Sequence, residues 1–269
     1  MNSGLQQNSN VPDPLVTASI VSHGGSVEVL RLLESIQRFE QASSIQVIIT
    51  DNLGHEFPEI DHSPWASLTI LRNERNKGFA SNQNRAFQSA NGKYFCVINP
   101  DVLFEQEVFS LLIRLLETGQ ADIVTPLIVD ANDVPQDSFR YFPTPFEIIR
   151  RRLPGYRFSP PCADAAGLVN PDWIAGMFML MKNNTYQKIK GFDEKYHLYF
   201  EDVDFCARAK LAGLKLIVDT KIRVQHNAHR ASRKKLIYLF WHLQSAIKFF
   251  TSPIYKKAIQ KSHKTISLH

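Results

Sequence analysis

Tyr94-Phe95-Cys96-Val97-Ile98-Asn99-Pro100-Asp101 is an apolar run that stops on an asparagine, a proline and an aspartate. The apolar part reads as a strand, and Asn, Pro and Asp are residues that end one. A carboxylate at the carboxyl end of a strand in an open α/β sheet points into the crevice where such sheets bind ligands. About a hundred residues later, Phe200-Glu201-Asp202-Val203-Asp204 sets a second acidic cluster among aromatics. Across a crevice from the first, it would complete a pair: one carboxylate holds a divalent ion on a diphosphate, the other acts as a general base.

Outward from these landmarks the chain alternates. Residues 15–21, 45–50, 68–71, 94–98 and 123–129 read as strands, and 27–39, 81–90 and 108–116 carry helical apolar spacing. That alternation implies a parallel sheet with helices on both faces. Residues 130–172 break the pattern with seven prolines and the basic run Arg150-Arg151-Arg152, and read as a long irregular excursion. Regularity returns at 173–181, at 186–189 and, after a turn at Gly191, in a helix over 203–212, a strand over 214–218 and an aromatic-rich helix over 236–250.

Length and composition, 269 residues with 44% hydrophobic, suit one large domain or a domain with an appendage. Three scattered cysteines without a CxxC spacing read as reduced thiols of a cytosolic protein. Residues 1–14 are polar and read as a disordered tail, with no signal peptide and no apolar run long enough to span a bilayer. The net charge of +5 hides an asymmetry. After Asp219 there is no Asp or Glu but eleven Lys and Arg, leaving 20 basic against 26 acidic groups before it. A basic tail of this kind suggests a polyanionic surface as partner, either anionic lipid or nucleic acid.

Each polar constellation has a functional and a plainer reading. Ser22-His23 and Thr50-Asp51-Asn52 end strands, where Asp51 can bond a base or ribose, or merely cap and turn the chain. In Asn76-Lys77-Gly78 a tight turn enters a helix near cations, which suits phosphate binding or a solvated loop equally. Asn99-Pro100-Asp101 alone is a weak metal signal. Glu201 and Asp202 suit either a base of raised pKa or the acidic first turn of a helix. His226, Trp173-Ile174-Ala175-Gly176 and Gly191-Phe192-Asp193-Glu194 read more readily as surface, packing and turn residues.

Their order is more specific than any one of them. Val21-Ser22-His23, Thr50-Asp51-Asn52, Asn76 to Ala80 with Asn82, Asn99-Pro100-Asp101, Trp173 to Leu180, Gly191 to Glu194, Phe200 to Asp204 and Val224-Gln225-His226 together resemble family 2 glycosyltransferases over roughly residues 15 to 250. More narrowly, they look like bacterial rhamnosyltransferases of O-antigen and related polysaccharides. The resemblance implies a GT-A fold: a mostly parallel, Rossmann-like sheet with helices on both faces, here followed by a basic amphipathic helical segment. It divides the chain into a tail (1–14), a catalytic domain (15–228, with a nucleotide-sugar half to 129 and an acceptor half from 130) and a basic extension (229–269).

By the same resemblance, Ser22, Asp51, Asn76, Lys77, Gly78, Asn99 and Asp101 face the donor, and Trp173, Gly176 and Glu201 the acceptor. Asp101 and His226 hold Mg²⁺ or Mn²⁺, and Asp202 is the base of an inverting, single-displacement transfer. The implied donor is dTDP-rhamnose and the implied acceptor a lipid-linked glycan. Asn99 departs from the usual Asp-x-Asp, which leaves the diphosphate to lean on Lys77 or on arginines of the 150–157 loop. The apolar residues Leu236, Ile237, Leu239, Phe240, Leu243, Ile247 and Phe250, with Arg233, Lys234, Lys235 and Lys248, make a basic amphipathic helix of the kind that lies on anionic bilayers. Together these imply a cytoplasmic enzyme, peripheral on the inner face of the plasma membrane. UDP-sugar donors (galactofuranose, N-acetylglucosamine, glucose) fit the same site. A nucleotidyltransferase is disfavoured because His23-Gly24-Gly25-Ser26 lacks a basic residue. Nucleic acid is not expected as a partner, since it leaves the acidic cluster unexplained and no recognition motif accompanies the tail.

Overall fold

The structure is a computed structural model that describes residues 13–53, 59–150, 161–227 and 236–266. Among the described residues, eleven strands and eight α-helices follow in chain order: β1 (Val16–Ser22), α1 (Ser26–Phe39), β2 (Ile45–Asp51), β3 (Ser67–Arg72), α2 (Phe79–Phe87), β4 (Tyr94–Ile98), β5 (Val102–Phe104), α3 (Phe109–Glu117) and β6 (Ile123–Val129) make the first half. Then come β7 (Phe139–Arg140), α4 (Pro145–Arg150), β8 (Leu168–Val169), β9 (Trp173–Ile174), β10 (Phe178–Lys182), α5 (Asn183–Ile189), α6 (Glu201–Leu211), β11 (Leu216–His226), α7 (Leu236–Thr251) and α8 (Pro253–Ile266).

The main sheet has the order β3-β2-β1-β4-β10-β6-β11-β5, with β8 added beside β11. Strands β3, β2, β1 and β4 pair in parallel, as their β-branched runs and intervening helices require. Alternate residues of β4 serve opposite faces. Tyr94, Cys96 and Ile98 join α1 and α3 in one core, whereas Phe95 and Val97 join α2, α5 and α6 in the other. A third cluster is formed by α7 and α8 against α6, around Phe200, Val203, Ala207, Ala246, Phe249 and Ala258.

Three departures from the expected elements shape the site. The stretch 173–181 is two strands, not one, broken at residues 175–177, and β10 runs antiparallel between β4 and β6. Its amino end therefore lies at the carboxyl end of β4, where Asn99 N donates to the Met177 carbonyl (2.9 Å). The expected strand over 214–218 continues as β11 to His226 through a register shift between Asp219 and Arg223. Its last residues pair with the short β5, setting His226 opposite Val102. The irregular excursion contains β7, α4 and β8, though residues 151–160, with most of its arginines, lie outside the described residues. So do most of the polar amino-terminal tail and the tail cations Arg233, Lys234 and Lys235.

Candidate active site

A cleft of about 630 Å³ opens along the carboxyl ends of β1 and β4, the break before β10 and the head of α6. Asn99, Asp101, Gly176, Glu201 and Asp202 line it, with His23, Phe79, Tyr199 and, from α7, Tyr238. The two acidic clusters thus do face one cavity.

On one wall stands Asp101, whose Oδ1 is 3.2 Å from Nε2 of His226. The pairing of β5 with β11 creates this contact, and Asn227 N, which donates to the Asp101 carbonyl (3.0 Å), extends it by one residue. An oxygen and an imidazole nitrogen converging from two strands suit a divalent ion that completes its shell with phosphate oxygens and water. Among the described residues no cluster of three or more His, Cys, Asp or Glu exists that could hold a metal alone. The protein's donor set therefore fits an ion brought in with a diphosphate.

Asp202 lines the same cleft, where Gly176 N donates to its Oδ2 (3.2 Å) and Val203 N to its Oδ1 (2.8 Å). Desolvation nevertheless raises the Asp202 pKa. Glu201 is 6% exposed, its Oε2 has no hydrogen-bond partner, and burial followed by the Asp202 charge pushes its pKa well above the ordinary value. Burial and the neighbouring Asp202 charge thus both favour the protonated form of the Glu201 carboxyl. Both are presented by Tyr199 and Phe200, consecutive residues in the left-handed region (φ 69° and 66°). Such strain in bulky residues persists only where packing over-determines it, and Phe200 is buried against Phe249 and Phe250.

The third acid has another task. Asp204 is fully buried and accepts from Nε of Arg208 (2.7 Å), whose Nη1 donates to the Gly191 carbonyl (2.8 Å). The same turn is gripped by Asn84, which accepts from Phe192 N (3.0 Å) and Tyr186 Oη (2.7 Å) and donates to the Phe192 carbonyl (2.9 Å). Gly191 to Glu194 is thus a structural turn.

Ser22 and Asp51, cross-strand partners at the ends of β1 and β2, are buried beside the cleft, and the hydroxyls of Ser22 and Thr50 have no partner. Asn52 organises the loop beyond them. Its Oδ1 accepts from Lys77 N (2.9 Å) and Asn73 (2.8 Å), and its amide reaches Asn76 (2.8 Å) and Nδ1 of His23 (3.1 Å). Asn76, Lys77 and Gly78 therefore build the support of the cleft and do not line it. The helix end expected to attract phosphate is differently used: α2 starts at Phe79, whose N–H is taken by the His197 carbonyl (3.1 Å). Trp173 does not line the cleft either. It is wedged between the core of α6 and the carboxy-terminal cluster, with its indole N–H unpartnered.

Sequence reasoning missed Tyr199, Leu198 and Tyr238 as cleft residues, and Asn84 and Gln136 as supports. The recurrence of asparagine at 73, 76, 82 and 84 was a usable signal, whereas Gln136 sits in proline-rich sequence that gives none.

The family model for glycosyl transferase family 2 matches residues 20–204, which span β1, the cleft and the acidic cluster. The chain belongs to that family. It is a glycosyltransferase, and its α/β sheet is of the GT-A type. It is 26% identical to the rhamnosyltransferase WbbL of Escherichia coli over 246 residues, covering 87% of this chain and 92% of that protein. Over 78 residues it is 33% identical to the N-acetylglucosaminyl-diphospho-decaprenol L-rhamnosyltransferase of Mycobacterium tuberculosis, 29% of this chain but only 25% of that one. Its fold matches GalNAc-T7 solved with UDP, GalNAc and Mn²⁺ (TM-score 0.62, 15% identity, 80% of this chain and 43% of that chain). It also matches Staphylococcus aureus TarS with UDP-GlcNAc (TM-score 0.60, 13% identity, 91% of this chain and 71% of that chain).

Proposed function

We propose that this glycosyltransferase moves L-rhamnose, with inversion, from dTDP-rhamnose to a hydroxyl of a lipid-linked glycan. The observation that carries the reaction type is that Asp202 and Asp101 line one cleft, with Asp101 paired to His226 behind it. Donor identity is supported by the extended similarity to a rhamnosyltransferase.

When bound, Mg²⁺ or Mn²⁺ at Asp101 and His226 would supply positive charge against the departing diphosphate. Asp202 takes the proton of the acceptor hydroxyl as that oxygen forms its bond to the anomeric carbon. The bond from that carbon to the diphosphate oxygen breaks with its electron pair on the nucleoside diphosphate. The Gly176 amide fixes the carboxylate oxygen Oδ2 and so aims the base. Neutral Glu201 leaves one negative charge at the acceptor side, and its unpartnered oxygen is placed to bond an acceptor hydroxyl. Gly176 itself leaves room, since a Cβ there would sit 3.3 Å from the Phe79 ring and 3.9 Å from Cβ of Asp202.

The acceptor's lipid has a place to be. On α7, Ser245, Ala246 and Phe249 face the protein, while Ile237, Leu239, Phe240, Leu243 and Ile247 are each 45–58% exposed. Tyr238, on the same helix, lines the cleft. A contiguous apolar face beside the active site, on a chain end without acidic residues, fits an anionic bilayer. No described helix is long and apolar enough to cross a membrane.

Calorimetric titration of dTDP, UDP and GDP in the presence of Mn²⁺ tests the donor. Preference for dTDP, lost in Asp101→Ala, supports the reading; preference for UDP overturns rhamnose while keeping the mechanism. Flotation with anionic vesicles tests the surface: Phe240→Asp with Leu243→Asp should abolish it, and unchanged flotation would remove α7 as the docking face.

A further inference from the structure

The side chain of Gln136 touches His226 at two points. Its Nε2 donates to the His226 main-chain carbonyl (2.7 Å), and its Oε1 lies 2.9 Å from the ring Nδ1. The first contact fixes which end of the amide is which, because a carbonyl oxygen can only accept and so must face the amide's N–H end. The oxygen of Gln136 must then face Nδ1, and an oxygen there requires Nδ1 to carry the proton. Gln136 is itself anchored, its N–H donating to the Ile128 carbonyl (2.8 Å) and its carbonyl accepting from Ser138 N (2.9 Å).

The consequence falls on the other ring nitrogen. With Nδ1 held as the donor to Gln136, Nε2 is the ring nitrogen turned to Oδ1 of Asp101, 3.2 Å away. A ring without a proton on Nε2 then sets a lone pair against the Asp101 carboxylate at the edge of the cleft, with His226 only 7% exposed. A cation between them satisfies both. Without Gln136, the cheaper solution is to move the proton to Nε2 and donate it to Asp101, which would fill the position the cation needs.

We propose that Gln136 is a positioning residue that locks His226 in its Nδ1–H tautomer and so keeps the Asp101–His226 pair open to a divalent cation. The inference rests on the reading of those two residues as metal ligands. Outer-sphere partners of ligating histidines commonly change metal affinity by about 10–100-fold.

The test uses the full chain and two readouts. Nitrogen-15 NMR of the imidazole, without metal at neutral pH, should report Nδ1–H in wild type and a shift toward Nε2–H in Gln136→Leu. Mn²⁺ titration followed by electron paramagnetic resonance, with saturating dTDP and again with UDP, should show about 10–100-fold weaker Mn²⁺ binding in Gln136→Leu. A wild-type ring protonated on Nε2, or on both nitrogens, overturns the proposal. Unchanged Mn²⁺ affinity in Gln136→Leu also overturns it, and if Asp101→Ala meanwhile loses Mn²⁺, the metal site itself survives. Unchanged Mn²⁺ binding in Asp101→Ala overturns both.

Discussion

Gly176 and Asp202 are joined by a hydrogen bond of 3.2 Å from the amide of one to Oδ2 of the other, across 26 residues of sequence. It ties the break before β10 to the head of α6, so the proposed base is aimed by the sheet and not only by its own helix. Replacing Asp202 by Asn preserves shape and removes the base. Turnover should fall by about 10²–10⁴-fold, the range for a lost general base, with nucleotide affinity unchanged in calorimetry. Turnover within a few-fold of wild type would remove Asp202 from that role.

The acid limb of the pH–rate profile should lie above the ordinary aspartate range, because desolvation raises Asp202 and activity needs its ionised form. Activity is then lost as pH falls through that raised value. Burial and the Asp202 charge both favour protonated Glu201, so Glu201→Gln should leave the limb where it is. A limb that moves down in this variant would mean that Glu201 carries charge in the working enzyme.

Stability should respond to Glu201 in the opposite sense from a salt-bridged acid. Its folded pKa is raised by burial and by Asp202, so the native state holds a proton that the unfolded chain has released. Stability from this group is therefore fully present below the ordinary glutamate value of 4.5 and declines as pH rises above it. Thermal melts should show Glu201→Gln gaining on wild type as pH rises from about 5 to 8. A constant difference across that range would contradict the assignment.

Asp204→Ala should cost about 3–5 kcal/mol, the penalty of stranding a buried charge, because Arg208 loses its partner and the turn at Gly191 its brace. Urea unfolding measures it. A loss below about 1 kcal/mol would place the pair among weakly coupled surface contacts.

Gly78→Ala should also destabilise. A Cβ at Gly78 would sit 2.6 Å from the His197 carbonyl oxygen, which is backbone and cannot swing aside. The segment carrying Leu198 and Tyr199 would have to move, so both melting temperature and turnover should drop. An unaltered melting curve would show that this loop yields freely.

The chain by itself determined the alternation of strand and helix, because each β-branched run and each amphipathic stretch is a local pattern that burial on a sheet face enforces. It also marked Asp101 and Glu201-Asp202, since a carboxylate set among apolar residues stands out in one dimension. The antiparallel insertion of β10 was not legible: residues 173–181 read as one apolar run, and strand direction is set by hydrogen bonding to neighbours far away in sequence. The same limit hid the division of labour among the acids. Asp202 and Asp204 are chemically alike and two residues apart, yet α6 turns one toward Gly176 and the cleft and the other toward Arg208. On α7 the apolar stripe was legible but not which of its members would be covered: Phe250 packs against the cluster around Phe249, whereas Ile247 stays exposed, and only packing against α6 selects between them. Local chemistry named the candidates, and long-range pairing decided which of them meet, because a contact between residues a hundred positions apart leaves no periodic trace in the chain.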